Sequence, residues 1–150
     1  MDWLLLKNRF LLISLSSWLL AQVLKTLLDA IRTGKLDITR LFGDGGMPSG
    51  HCATVTALAV ASAMDFGTDS FAFALSGILA LVVCHDAMGV RLETGKQAAA
   101  LNALLQTLGT GQEKEKKLKE FVGHTPAQVL AGAALGAVNA FVMGRFILPR

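Results

Sequence analysis

The residues best suited to chemistry are two cations and two histidines. Lys25 and Arg32 end an apolar run in "KTLLDAIR". Seven residues is nearly two helical turns, so both cations face one side, roughly 10 Å apart along the axis. Lys25 lies within the apolar run, where an ionisable group is costly and usually functional; the alternative is that it snorkels to the interface. The stretch "GDGGMPSGH" follows, with glycines at 43, 45, 46 and 50. Such a loop can aim several N–H groups at one anion, and a helix beginning near His51 adds the positive end of its dipole. His124, in "GHTPAQVLAG", stands outside a second helix mouth. Thr125 reads as its N-cap, Pro126 as its first position and Gln128 as the capping-box partner. Two imidazoles beside an anion site can divide labour, one attacking phosphorus and one protonating the leaving oxygen. Their plainer alternative is capping or anchoring at an interface. His85, beside Asp86 in "VCHDAMGVR", reads as structural.

The elements that must position these groups are membrane helices. The chain has 150 residues, which suits one domain over 1–150. It is 53% hydrophobic and 17% charged, with mean hydropathy +0.52, too little charge to cover a soluble domain. Four apolar runs approach the roughly 20 residues that span a bilayer: about Phe10 to Ile31, Cys52 to Phe66, Phe71 to Cys84 and Pro126 to Leu148. In the last, "GAALGAVNAFVMG" spaces Gly132, Gly136 and Ala140 for close helix approach. "GKQAAALNALLQTLGTGQ" has apolar positions at Ala98, Leu101, Leu104, Leu105 and Leu108, which predicts an amphipathic helix, interfacial or partly buried. The charged "EKEKKLKEF" after it reads as a solvated surface segment. The expected fold is all-α: a small integral membrane bundle of about four transmembrane helices plus an amphipathic helix.

Other classes are disfavoured. The net charge is +3, and Lys and Arg cluster between apolar runs without interleaved aromatics, which argues against nucleic acid as a partner. "MDWLLLKNRF" lacks the basic start and cleavage site of a secretory signal and reads as a pre-helix segment. Cys52 and Cys84 sit in apolar runs and read as two buried thiols. Arg32, Lys35, Arg40, Arg91, Lys96, Lys114, Lys116, Lys117 and Lys119 fall on one side of the expected bundle, and the opposite turn "MDFGTDS" has two Asp and no Lys or Arg. The positive-inside rule puts the loaded face in the cytoplasm, in a bacterial inner membrane. Short helices with small-residue faces also suit pairing with a second copy of the chain.

"PSGH", preceded by Lys25-x6-Arg32 and followed by "GHTPAQVLAG", resembles the superfamily of type 2 phosphatidic acid phosphatases and vanadium haloperoxidases. Its pattern is K-x6-R-P, then P-S-G-H, then S-R-x5-H-x3-D. "DAMGVRLETGKQAAALN" and the compact length resemble its divergent branch of small membrane proteins, over about Leu20 to Val142. The resemblance implies that Lys25 and Arg32 hold phosphate oxygens and that Ser49 with the Gly50 amide completes the cradle. It implies that His51 protonates the leaving alkoxide, while His124 attacks phosphorus to form a phosphohistidine that water hydrolyses. The sequence departs from the pattern at Thr33, in place of proline, and in "LKEFVGH", which offers Lys119 but no arginine. Gln128 stands where the pattern has a carboxylate. A carboxylate normally orients such an imidazole; Asp86 is the expected substitute, and Arg91 the expected replacement for the arginine, the alternative being an Asp86–Arg91 salt bridge that holds the loop.

The expected function is a metal-independent phosphatase, without cofactor, acting on a membrane lipid that carries a phosphate headgroup or on a polyprenyl diphosphate. A second enzyme reading has Asp44, Asp86 and Glu93 binding Mg²⁺. A third reading is a phosphate-headgroup binding or transport protein without turnover.

Overall fold

The structure, a computed structural model, describes residues 7–43, 45–107, 118, 120 and 122–148. Asp44, Leu108, Lys114, Lys116, Lys117 and Lys119 lie outside the described residues. Every regular element among the described residues is helical. Helix α1 spans Arg9–Thr33: Asn8 caps it by accepting from the amides of Phe10 and Leu11, and Gly34, at φ 70°, ends it. Helix α2 spans Gly50–Phe66 under a Ser49 cap, and α3 spans Phe71–Met88 under a Ser70 cap. Only Gly89 separates α3 from α4, Val90–Thr107. Helix α5, Pro126–Val142, starts on the expected box, in which Thr125 and Gln128 each cap the other's backbone; it runs on into a π-helical turn over Met143–Ile147. A short 3-10 helix, Ile38–Phe42, lies in the first loop, where the sequence reading placed no element.

The four apolar runs are thus α1, α2, α3 and α5, within a few residues of the expected bounds. Arg9–Thr33, the α3–α4 stretch Phe71–Thr107 and Pro126–Ile147 are long and apolar enough to cross a membrane. The 17-residue α2 is shorter and sits at the centre, packed on α1, α3 and α5. Large apolar side chains point outward: Leu15, Leu19, Ile78, Leu81, Leu130 and Val138 are all exposed. Small and polar ones point inward, among them Ser14, Ser17, Thr26, Ser62 and Ser76. This is the arrangement of a bundle solvated by lipid, where leucine gains nothing by facing another helix and close packing and hydrogen bonds hold helices together.

The α2–α5 seam shows how. A β-carbon on Gly132 would strike the Ser49 carbonyl oxygen, and one on Gly136 the Ala53 carbonyl oxygen. Ala140 meets Ala57 one turn further on. Steps of four on both helices, in the same direction, make α2 and α5 parallel, so their N-termini open at the same end. Hydrogen bonds fix that end: the Ser49 amide donates to the Gln128 carbonyl (3.0 Å) and the His124 amide to the Ala87 carbonyl (2.9 Å). At the far end Arg9 lies 3.2 Å from Asp65 and donates to the Gly144 carbonyl (3.1 Å).

Helix α4 fits the expected interfacial or partly buried helix and starts earlier, at Val90. Leu101, Leu104 and Leu105 are exposed, while Gly95 and Asn102 are the buried positions. The returning chain explains this. The Asn102 amide donates to the Leu118 carbonyl (2.9 Å) and its oxygen accepts from the Leu118 amide (3.1 Å). A β-carbon on Gly95 would lie 2.8 Å from the Val122 carbonyl oxygen. Backbone recognition, and not an apolar stripe, chose the buried face. Both cysteines are free thiols, Cys52 buried and Cys84 half-buried.

Candidate functional site

The common mouth of α2 and α5 is a cavity of about 120 Å³, lined by Trp18, Gln22, Lys25, Gly43, Gly45, Gly50, His51 and His124. Lys25 reaches it from α1 and is buried, at 6% exposure. Its ammonium donates to the Gln22 side-chain oxygen (2.6 Å) and to the Gly43 carbonyl (3.2 Å). The Gln22 amide in turn donates to the Leu41 carbonyl (2.6 Å), which fixes which of its ends faces the lysine. Gly46, at φ 83°, passes so close to the Lys25 stem that an added β-carbon would lie 3.2 Å from it. The positive φ favours glycine there, and any larger residue would crowd the Lys25 stem.

The two imidazoles face each other, with ring centroids 6.3 Å apart and planes at 60°. His51 is exposed at the first turn of α2, where amides without intrahelical partners and the helix dipole favour an anion. His124 is buried, at 3% exposure. Its Nδ1 lies 3.4 Å from the Gln128 side-chain oxygen, the same oxygen that accepts from the Thr125 amide (3.0 Å). Burial is the main influence on the His124 pKa and lowers it below the ordinary 6.5. The hydrogen bond to Gln128 opposes this, the charges of Lys25 and His51 add to it, and a contact with the Gly46 backbone opposes it again. Lowering prevails, so the ring is neutral at pH 7.

The cavity therefore gathers Lys25, Gly50, His51 and His124 from the expected set, with two loop glycines. Ser49 is fully buried beneath, its hydroxyl accepting from the Cys52 amide (3.4 Å) as the α2 cap. Three expected residues stand apart from the lining. Arg32 is exposed in the last turn of α1. Asp86 and Arg91 bond each other across Gly89, Nε to Oδ2 at 2.7 Å, and it is Gln128, not Asp86, that meets the His124 ring. Gln22 and Trp18 were not anticipated. The spacing Gln22-x2-Lys25 held a usable signal, since residues three apart on a helix are neighbours. Among the described residues no cluster of three His, Cys, Asp or Glu could hold a metal ion; Glu93 pairs with Lys96 (2.7 Å).

Residues 6–139 match the model of the family described as the Divergent PAP2 family. The chain is 38% identical over 156 residues to the uncharacterized membrane protein YuiD of Bacillus subtilis (strain 168), covering 96% of this chain and 99% of that one. No solved structure matches.

Proposed function

Since the chain belongs to the Divergent PAP2 family, we propose that it is a membrane-embedded phosphatase that hydrolyses a lipid phosphate or polyprenyl (di)phosphate through a phosphohistidine. The observation that carries this reading is the facing pair His51 and His124 over a buried lysine in one cavity. Both rings border the one cavity that Lys25 also lines, so a single bound phosphate can reach all three side chains.

In this mechanism the phosphate lies against the first turn of α2, with its charge met by Lys25 and by the amides near Gly50. Donation of Nδ1–H to Gln128 leaves the Nε2 lone pair of His124 available. Nε2 attacks phosphorus, the P–O bond to the lipid breaks, and His51 as imidazolium gives its proton to the leaving alkoxide. Neutral His51 then takes a proton from water as the water oxygen attacks phosphorus; the P–N bond breaks and inorganic phosphate leaves. Gln128 serves as the orienting group, and the Asp86–Arg91 pair braces the α3–α4 junction. The site-end surplus of Arg32, Lys35, Arg91 and Lys96 supports a cytoplasmic active-site face.

Purified protein tested for phosphate release from a panel of lipid phosphates, with and without vanadate, examines this directly. Release is expected to persist in EDTA, to vanish in His124→Ala, and to fall about 10²–10⁴-fold in His51→Ala, the usual scale of a general acid. Undiminished release from His124→Ala would sink the phosphohistidine. Vanadate-competed lipid binding without any release would identify a non-catalytic headgroup-binding protein instead.

A further inference from the structure

A second, apolar hollow of about 420 Å³ adjoins the anion cavity, lined by Leu15 and Trp18 of α1, His51, Thr54 and Val55 of α2, and Val83 of α3. Its floor is the side of α2 turned away from α5. Ala53 faces the α5 seam, and Val55, two residues on, points about 200° round the helix. His51 and Val55, four apart, share that outer face. Helices α1 and α3 each pack on α2 and form its two walls. The groove opens sideways, with Leu15 57% exposed. The Thr54 hydroxyl is already bonded to the Gly50 carbonyl (2.8 Å), so the groove offers an occupant little besides apolar surface. Trp18 and His51 line both spaces, so the anion cavity and the groove are direct neighbours.

An anion pocket beside an apolar trough on the lipid-facing side of a membrane bundle matches one kind of molecule, a phosphate with a hydrocarbon chain attached. We propose that the groove holds the first segment of that chain, so that substrate enters sideways from the bilayer between α1 and α3. This rests on the phosphatase reading for its chemistry, but not for binding. Leu15, Val55 and Val83 then select a membrane-embedded phosphate over a water-soluble ester. Trp18, with an apolar body and a polar N–H, marks the boundary between chain and headgroup. The groove spans about one helical turn, roughly 5 Å, so it contacts only the carbons nearest the phosphate.

Two measurements test this. In the first, phosphatidic acid carrying a diazirine near the start of one acyl chain is photolysed with the wild-type protein in bilayer discs, beside diacylglycerol with the same diazirine. Labelling of the Leu15, Val55 and Val83 segments is expected from the phosphatidic acid, suppressed by vanadate and much weaker from diacylglycerol. Equal labelling by both probes, or labelling elsewhere, overturns the proposal. In the second, Val55→Phe and Val83→Phe fill the groove from its floor and one wall. The ratio of kcat/KM for phosphatidate to that for para-nitrophenyl phosphate should fall about tenfold or more, within the range by which apolar pockets discriminate. An unchanged ratio in both folded variants overturns it. If the wild type hydrolyses nothing, the phosphatase reading fails and the labelling alone decides the groove.

Discussion

His124 is held by a neutral amide where the wider superfamily pattern has a carboxylate, and its acid–base behaviour should show it. The proposed mechanism needs the neutral ring, so its activity would fall as pH drops through the His124 pKa. Burial sets that pKa below 6.5, and the acidic limb of kcat/KM is accordingly expected below pH 6.5. Gln128→Glu would place a carboxylate at the same 3.4 Å position. An opposite charge that close favours the imidazolium by about 1–3 pKa units, so the acidic limb should move to higher pH. A pH–rate profile of the two proteins checks this, and an unmoved limb would show that His124 is not the titrating group. The Gln128 contact was half legible in the sequence, because the capping box was readable but its second contact with His124 was not. Asp86 was expected there from chain placement alone. A partner five residues away across Gly89 was simply closer.

Elements were the most legible level. The four apolar runs and the Thr125-Pro126 start predict α1, α2, α3 and α5, because each helix is decided by its own residues; the Asn8, Ser49 and Ser70 caps emerge in the structure. The burial of α4 was hidden, since it depends on a distant backbone segment that pairs with Asn102. The small-residue spacing at Gly132 and Gly136 was readable as a contact face, but not its partner. That partner being α2, the seam holds both histidines in register. Gly136→Val would drive a side chain into the Ala53 carbonyl. Overpacking of this kind costs about 1–3 kcal/mol and sometimes more, and it should push α5 away from α2. A lower midpoint of thermal unfolding in detergent is expected, with kcat falling further than substrate affinity. Unaltered unfolding and turnover would mean that the two helices do not meet there.

At the scale of the whole molecule, charge asymmetry is the basis of the proposed orientation. The site end carries Arg32, Lys35, Arg91 and Lys96. The other end carries Lys7, Arg9 and Arg145, of which Arg9 is paired with Asp65, and exposed Asp69 adds negative charge. With the site end cytoplasmic, a cysteine at exposed Thr68 should react with a membrane-impermeant maleimide in intact cells. A cysteine at exposed Lys35 should react only after permeabilisation. The reverse pattern would turn the protein over. Membrane class and the surplus of cations were plain from composition. The inward turn of small polar residues was not, because composition does not say which face of a helix another helix covers.

The parallel alignment of α2 and α5 also sets an order of events during synthesis. Lys25, the glycine loop and His51 leave the ribosome early, whereas His124 and the helix that carries it follow only after α3 and α4. Pairing of segments so far apart in the chain is slow and comes late. On the proposed reading, the nascent protein therefore enters the bilayer with its anion cradle begun and His124 still to come. The proposed phosphatase would be silent until α5 is inserted, and chains truncated before α5 would release no phosphate.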